Sequence, residues 1–231
     1  MSSTPPDARP RPPAPAPSVR AERGWWALVA VVGVASLGLQ LWLPLTSGEP
    51  AHGTRLVRLV SFFTISTNVL VALLAVLVAT GRHPADRHGT APVWWRALRL
   101  GAPVCIAVVG VVYHLLLADL VELTPLGAVA DAGLHTVVPV LALVGWAWFT
   151  PRGLADARAA LLALVYPVLW AVWTFARGAG DGWYPYPFVD VGVVGVDGAV
   201  RGVVGVTVLL AVLLTAAVLV DRAVGRRRRA G

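Results

Sequence analysis

Thr64, Asp131 and His135 are the residues of this chain whose types and spacing can carry a reaction. A threonine hydroxyl is a weak nucleophile and needs a base within hydrogen-bond reach. An imidazole titrates near neutral pH and suits that role. Asp131 precedes His135 by four residues, so on a helix both lie on one face. The carboxylate can then orient the ring, as in hydrolase triads. Around them stand Asn68, Tyr113, His114, Arg177, Trp183 and Tyr186, candidates for catalytic support or substrate binding. Ser61, Thr64 and Asn68 follow at i, i+3 and i+7, which places them together on a helix. Tyr166, Trp170, Trp173 and Arg177 follow at i, i+4, i+7 and i+11 and form a second stripe. Arg177 can hold a carboxylate, and Asn68, Tyr113 or a backbone amide can receive an oxyanion. Each residue alone has a plainer use. A membrane threonine bonds back to its own helix, a histidine ties helices together, and an aromatic stripe packs. Cys105 is the single cysteine, so neither a disulfide nor a cysteine metal site is expected. It reads as a small buried hydrophobe. No metal or cofactor is expected.

The elements that hold these residues follow from composition. The chain has 231 residues, 57% hydrophobic and only 13% charged, with a mean hydropathy of +0.73. A soluble domain has no place for that much apolar surface. The expectation is an all-α polytopic membrane protein. Six apolar runs, near 25–43, 59–79, 98–117, 129–149, 157–175 and 203–220, are each long enough to cross a bilayer. A loop over 176–198 separates the last two. The domain reading is a disordered Pro/Arg-rich tail at 1–23, a six-helix domain at 24–221 and an Arg-rich tail at 222–231.

All 19 basic residues are arginine, and 15 of them fall on one side of the six spans. The positive-inside rule then puts both termini in the cytoplasm of a multi-pass plasma-membrane protein. The net charge of +7 becomes an orientation and calls for no nucleic acid. That orientation brings the polar residues to the outer leaflet. Thr64 is expected about five residues inside the second span, roughly 8 Å below its outer end. The inner half, by contrast, carries no polar path.

Three motifs occur in order: Phe62-Phe63-Thr64, then Leu134-His135-Thr136-Val137-Val138-Pro139, then Trp183 followed by Tyr186-Pro187-Phe188. Together they resemble the androgen-induced protein / androgen-dependent TFPI-regulating protein family and its bacterial six-helix relatives. The resemblance covers about residues 50–220. It departs from the animal members in the Pro-rich tail and the Tyr113-His114 pair, and matches poorly between the second and third spans. The resemblance implies a metal-independent threonine hydrolase of lipid esters, of the type in which a fatty acid esterifies a hydroxy fatty acid. It implies Thr64 as nucleophile and His135 as base, and matches the family's Tyr-Pro-Phe to Tyr186 through Phe188. The expected partners are membrane lipids or a lipid-ester substrate; nothing in the chain indicates an oligomeric state. Two other readings stay open. One is a non-catalytic carrier or scaffold, although no inverted repeat is visible. The other is a redox protein with His114 and His135 as axial haem ligands.

Overall fold

A computed structural model describes residues 18–46, 52–84, 91–120 and 122–230. Six helices are long and apolar enough to cross a membrane: Val19–Thr46, Phe63–Thr80, Val93–Leu120, Pro125–Phe149, Ala157–Asp181 and Val191–Arg226. In lipid a backbone must close its own hydrogen bonds, and no strand occurs among the described residues. The helical segments are α1 (Val19–Thr46), α2 (His52–Ser61), α3 (Phe63–Thr80), α4 (Val93–Val112), α5 (Pro125–Ala132), α6 (Val138–Phe149), α7 (Ala157–Ala163), α8 (Val165–Asp181) and α9 (Val191–Ala230). The core lies between α1, α3, α4 and α6, where Trp26, Val71, Leu74, Trp95, Ile106 and Val138 are buried. Cys105 is buried among them. Helices α8 and α9 flank this core and leave rows of Val, Leu and Trp exposed, as lipid-facing helices do.

Four boundaries differ from expectation. The second span is not one helix from residue 59. Phe62 is extended, with φ −69° and ψ 132°, and separates the short amphipathic α2 from α3. The loop read over 176–198 shrinks to 182–190. Gly182, with φ 71°, ends α8 in the left-handed region, where a glycine costs least. Asp190 then opens α9, its carboxylate accepting the Gly192 N–H at 2.9 Å. Of the N-terminal tail, 1–17 lies outside the described residues, but α1 is already helical at Val19. An ion pair holds that start: Glu22 meets the buried Arg99 of α4 at 2.8 Å. At the other terminus α9 continues as helix to Ala230 through the predicted tail.

The ends of α1 and α9 meet the same loop region. Asp221 of α9 accepts the Gly153 and Ala155 N–H groups, both at 2.9 Å, and Arg99 reaches Thr150. This is the terminal end of the bundle; the opposite end is called distal below. Asp156 caps α7 there, taking the Ala159 N–H at 2.8 Å and pairing with Arg96 at 2.8 Å. Partial burial pushes its carboxyl upward, but the Ala159 amide and Arg96 outweigh that and hold it below the usual carboxylate range. A carboxylate depressed in the folded state stabilises above its unfolded pKa of about 3.9 and loses that contribution as pH falls through the folded value. Asp156→Ala is therefore expected to cost about 1 kcal/mol near neutral pH. The deficit should vanish in thermal unfolding measured well below pH 4.

Candidate active site

The distal end gathers the reactive residues, and broken helix geometry places each of them. The break at Phe62 leaves the first amides of α3 without a preceding turn to bond. Thr64 therefore stands in the first turn of α3, not five residues inside a longer helix. Its N–H donates to the Tyr186 hydroxyl at 3.2 Å, and its Oγ1 lies 3.4 Å from the same oxygen. Tyr186 is buried. Burial raises its phenol above the ordinary value, while the Thr64 hydroxyl and the Thr64 and Phe63 amides pull the other way. The phenol is thus neutral at physiological pH and keeps a proton to donate.

Two π-turns carry the rest. Helix α4 ends in one over Tyr113–Leu117, with the Ala118 N–H bonding to Tyr113 O. Helices α5 and α6 are joined by another over Gly133–Val137, with the Val138 N–H bonding to Gly133 O. Such turns insert one residue and free a carbonyl. Pro139 has no N–H to offer back along this helix. The freed Leu134 carbonyl instead accepts from Asn68 Nδ2 at 3.2 Å, and the same amide group donates to Thr64 O at 2.9 Å. Asn68 is fully buried, and it ties the Thr64 turn to the His135 turn. Its face is shared with Thr64, as the spacing predicts. Ser61 is not on it: that hydroxyl lies before the break, bonds to Val57 O and accepts from Arg177.

Within the second π-turn His135 Nδ1 lies 2.9 Å from Asp131 Oδ1 and 3.2 Å from Asp131 O. The other carboxylate oxygen accepts the Tyr113 O–H at 2.6 Å. The Tyr113 ring stacks on the imidazole with centroids 3.8 Å apart. With Nδ1–H donating to Asp131, Nε2 is the free, basic nitrogen. Gly133 lets this turn approach α1: a Cβ there would strike the Ser36 side chain. Gly133→Val is expected to cost about 1–3 kcal/mol through overpacking, read as a lower unfolding temperature in detergent.

Two cavities meet at Thr64 and Tyr186. The more polar one, of about 500 Å³, is lined by Thr64, Tyr113, Asp131, His135 and Tyr186, with Gln40, Glu122 and Thr124 set among leucines, prolines and Phe62. An apolar one of about 260 Å³ runs between α4, α8 and α9 and also reaches Thr64 and Tyr186. Thr64 and His135 thus line one cavity, though among the described residues no hydrogen bond joins them directly.

Other predicted site residues are placed elsewhere. His114 is exposed, bonded to Gly110 O at 2.8 Å and Thr136 Oγ1 at 3.2 Å, and lines neither cavity. Tyr113, stacked on His135 and edge-on to His114 at 5.2 Å, occupies the space between the two imidazoles. The pair therefore does not fit the two axial positions of a haem. Arg177 is engaged by Ser61 Oγ at 2.6 Å and Asp181 at 2.9 Å. Trp183 lies under both Arg177 and Arg58. Neither Arg177 nor Trp183 lines either cavity. The α8 stripe is only partly inward. Tyr166 bonds Ser66 and Thr67, and Trp170 donates to Ser61 O, whereas Trp173 is exposed. Among the described residues no cluster of three or more His, Cys, Asp or Glu can hold a metal.

Sequence reasoning missed Gln40, a lone polar residue inside the first apolar run, and Glu122 and Thr124, which lie between the third and fourth; none carries a periodic signal. It also missed the first-turn amides of α3. Compared with known proteins, the chain matches no family model, no curated protein and no solved structure.

Proposed function

We propose that this chain is an intramembrane carboxylic ester hydrolase acting on fatty acyl esters, with Thr64 as nucleophile and His135 as base. The observation that carries the reading is the common cavity. Thr64, the Asp131-oriented His135 and Tyr186 line it, and an apolar cavity enters from behind Thr64. The resemblance described above points to the same two residues.

The chemistry runs in two halves. Thr64 Oγ1 attacks the ester carbonyl carbon, and its proton passes across the polar cavity to His135 Nε2, through water where the gap requires it. The bond from the carbonyl carbon to the alcohol oxygen breaks, and His135 gives that proton to the departing alcohol. Water then attacks the acyl-Thr64 ester and gives a proton to His135. The acyl–Thr64 bond breaks, Thr64 recovers a proton, and the fatty acid leaves. In both halves negative charge grows on the carbonyl oxygen. The neutral Tyr186 hydroxyl, which accepts the Thr64 N–H at the positive end of α3 and keeps its own proton to give, is the donor that can meet it. Asp131 stabilises the imidazolium that forms between the steps. In a plasma membrane with the arginine-rich ends inside, the distal cavity opens in the outer leaflet.

A fluorophosphonate tests the assignment directly. The purified chain, labelled and digested, is expected to yield the phosphonylated peptide at Thr64. A folded protein that hydrolyses no ester and never labels is a lipid-binding scaffold instead. Labelling that maps elsewhere removes Thr64 from the reaction.

A further inference from the structure

The two cavities differ in a way that sorts the two halves of a substrate. The inner one is walled by Val108 of α4, Ala171 of α8, and Val206 and Leu210 of α9. Few close backbone approaches join α8 to α9, and both carry exposed apolar side chains toward lipid. An acyl chain entering sideways from the bilayer meets an apolar and aromatic wall, with Thr207 as its one aliphatic hydroxyl before Thr64. The polar cavity is different. Asp131 and Glu122 line it, and among the described residues no arginine lines either cavity. Arg177, the one cation expected to hold a carboxylate, is held off by Ser61 and Asp181. An anion placed beside His135 therefore meets the largely buried Asp131 carboxylate, with the exposed Glu122 elsewhere in the lining and no arginine.

From this division, which rests on the reading of Thr64 as nucleophile, we infer that the substrate is an ester whose acyl chain fills the α4–α8–α9 cavity. Its alcohol half, in the polar cavity, carries no negative charge within a few bonds of the ester. A glycerol-type or other neutral polyol ester fits this description. A short hydroxy acid does not.

Two nearly isosteric esters separate the cases: 1-decanoylglycerol and the decanoyl ester of glyceric acid, which differ by a carboxylate in place of a hydroxymethyl group. With the full chain in nanodiscs, kcat/KM is expected to be at least about tenfold higher for the glycerol ester. Across an acyl series from butanoyl to hexadecanoyl, Ala171→Trp should lower the ratio of long-chain to short-chain kcat/KM by about tenfold. Val206→Trp, filling the cavity from the opposite wall, should do the same if Ala171→Trp folds poorly. Equal or faster cleavage of the glycerate ester overturns the inference. So does an unchanged chain-length profile in both folded variants. A wild type that cleaves no ester at all overturns the hydrolase reading itself, and is recognised because both esters and every chain length then fail together.

Discussion

Thr64→Ala is expected to lower ester hydrolysis by about 10³-fold or more, with the protein still folded. The expectation follows from where the hydroxyl stands. Thr64 is buried in the first turn of α3, and its only described side-chain partner is the Tyr186 hydroxyl at 3.4 Å. Removing the hydroxyl takes away the atom that forms the acyl intermediate. It leaves the Thr64 N–H bond to Tyr186, because a backbone amide survives the substitution. The structural cost is therefore small, and the kinetic cost is large. Thr64→Ser keeps the nucleophile and should retain a substantial fraction of the rate. The contrast between the two variants is the decisive measurement. If both fall equally, the threonine is packing and not chemistry. If the Ala variant keeps full activity, Thr64 is not the nucleophile.

Asp131→Asn is expected to lower kcat by roughly 10²–10⁴-fold with little change in KM. Asp131 accepts from His135 at one oxygen and from Tyr113 at the other, so its carboxylate sets both the imidazole tautomer and the ring stacked on it. An asparagine amide can offer a donor where an acceptor is needed. It then favours the tautomer with the proton on Nε2, the nitrogen that must receive one from Thr64. Binding is expected to hold because Asp131 carries no designed contact to the acyl chain, whose cavity it does not line. Tyr113→Phe keeps the stack and loses only the hydrogen bond, so a milder loss of about tenfold is expected. A loss shared by KM and kcat in Asp131→Asn, with a lowered unfolding temperature, would instead mark a structural role.

The six spans were legible because hydropathy is a local property, and a run of apolar residues in lipid has no choice but helix. The partnership of Asp131 with His135 and of Thr64 with Asn68 was legible for the same reason: four-residue spacing fixes a common face. What escaped was set by breaks in that regularity. Nothing in Ser61-Phe62-Phe63 marks a helix end, for neither glycine nor proline stands there. Yet the break decides that the Thr64 amide has no acceptor in its own helix and turns to Tyr186 instead. Spacing put Trp173 and Arg177 on the stripe of Tyr166 and Trp170, but Trp173 is exposed and Arg177 turns to Ser61 and Asp181. The match of Tyr186 with Thr64 spans 122 residues and obeys no local rule. Only Pro139 announced anything irregular near His135, by withholding an N–H.

The π-turn at Gly133–Val137 has a consequence for how this site tolerates changes of length. An α-helix advances about 100° per residue, so an added residue would rotate everything beyond it unless, as here, a π-turn took it up locally. Deleting one residue between Asp131 and Val138 would let the ladder close as ordinary α-helix. The two flanks would keep nearly their present phase, but the widened segment that carries His135 and leaves the Leu134 carbonyl free would be lost. No side chain in the core would change identity, and hydropathy would hardly shift. The imidazole, its carboxylate and the Leu134 carbonyl grasped by Asn68 would nevertheless cease to coincide. At this helix, sequence length is itself a functional variable, and a one-residue indel is a more drastic mutation than most substitutions.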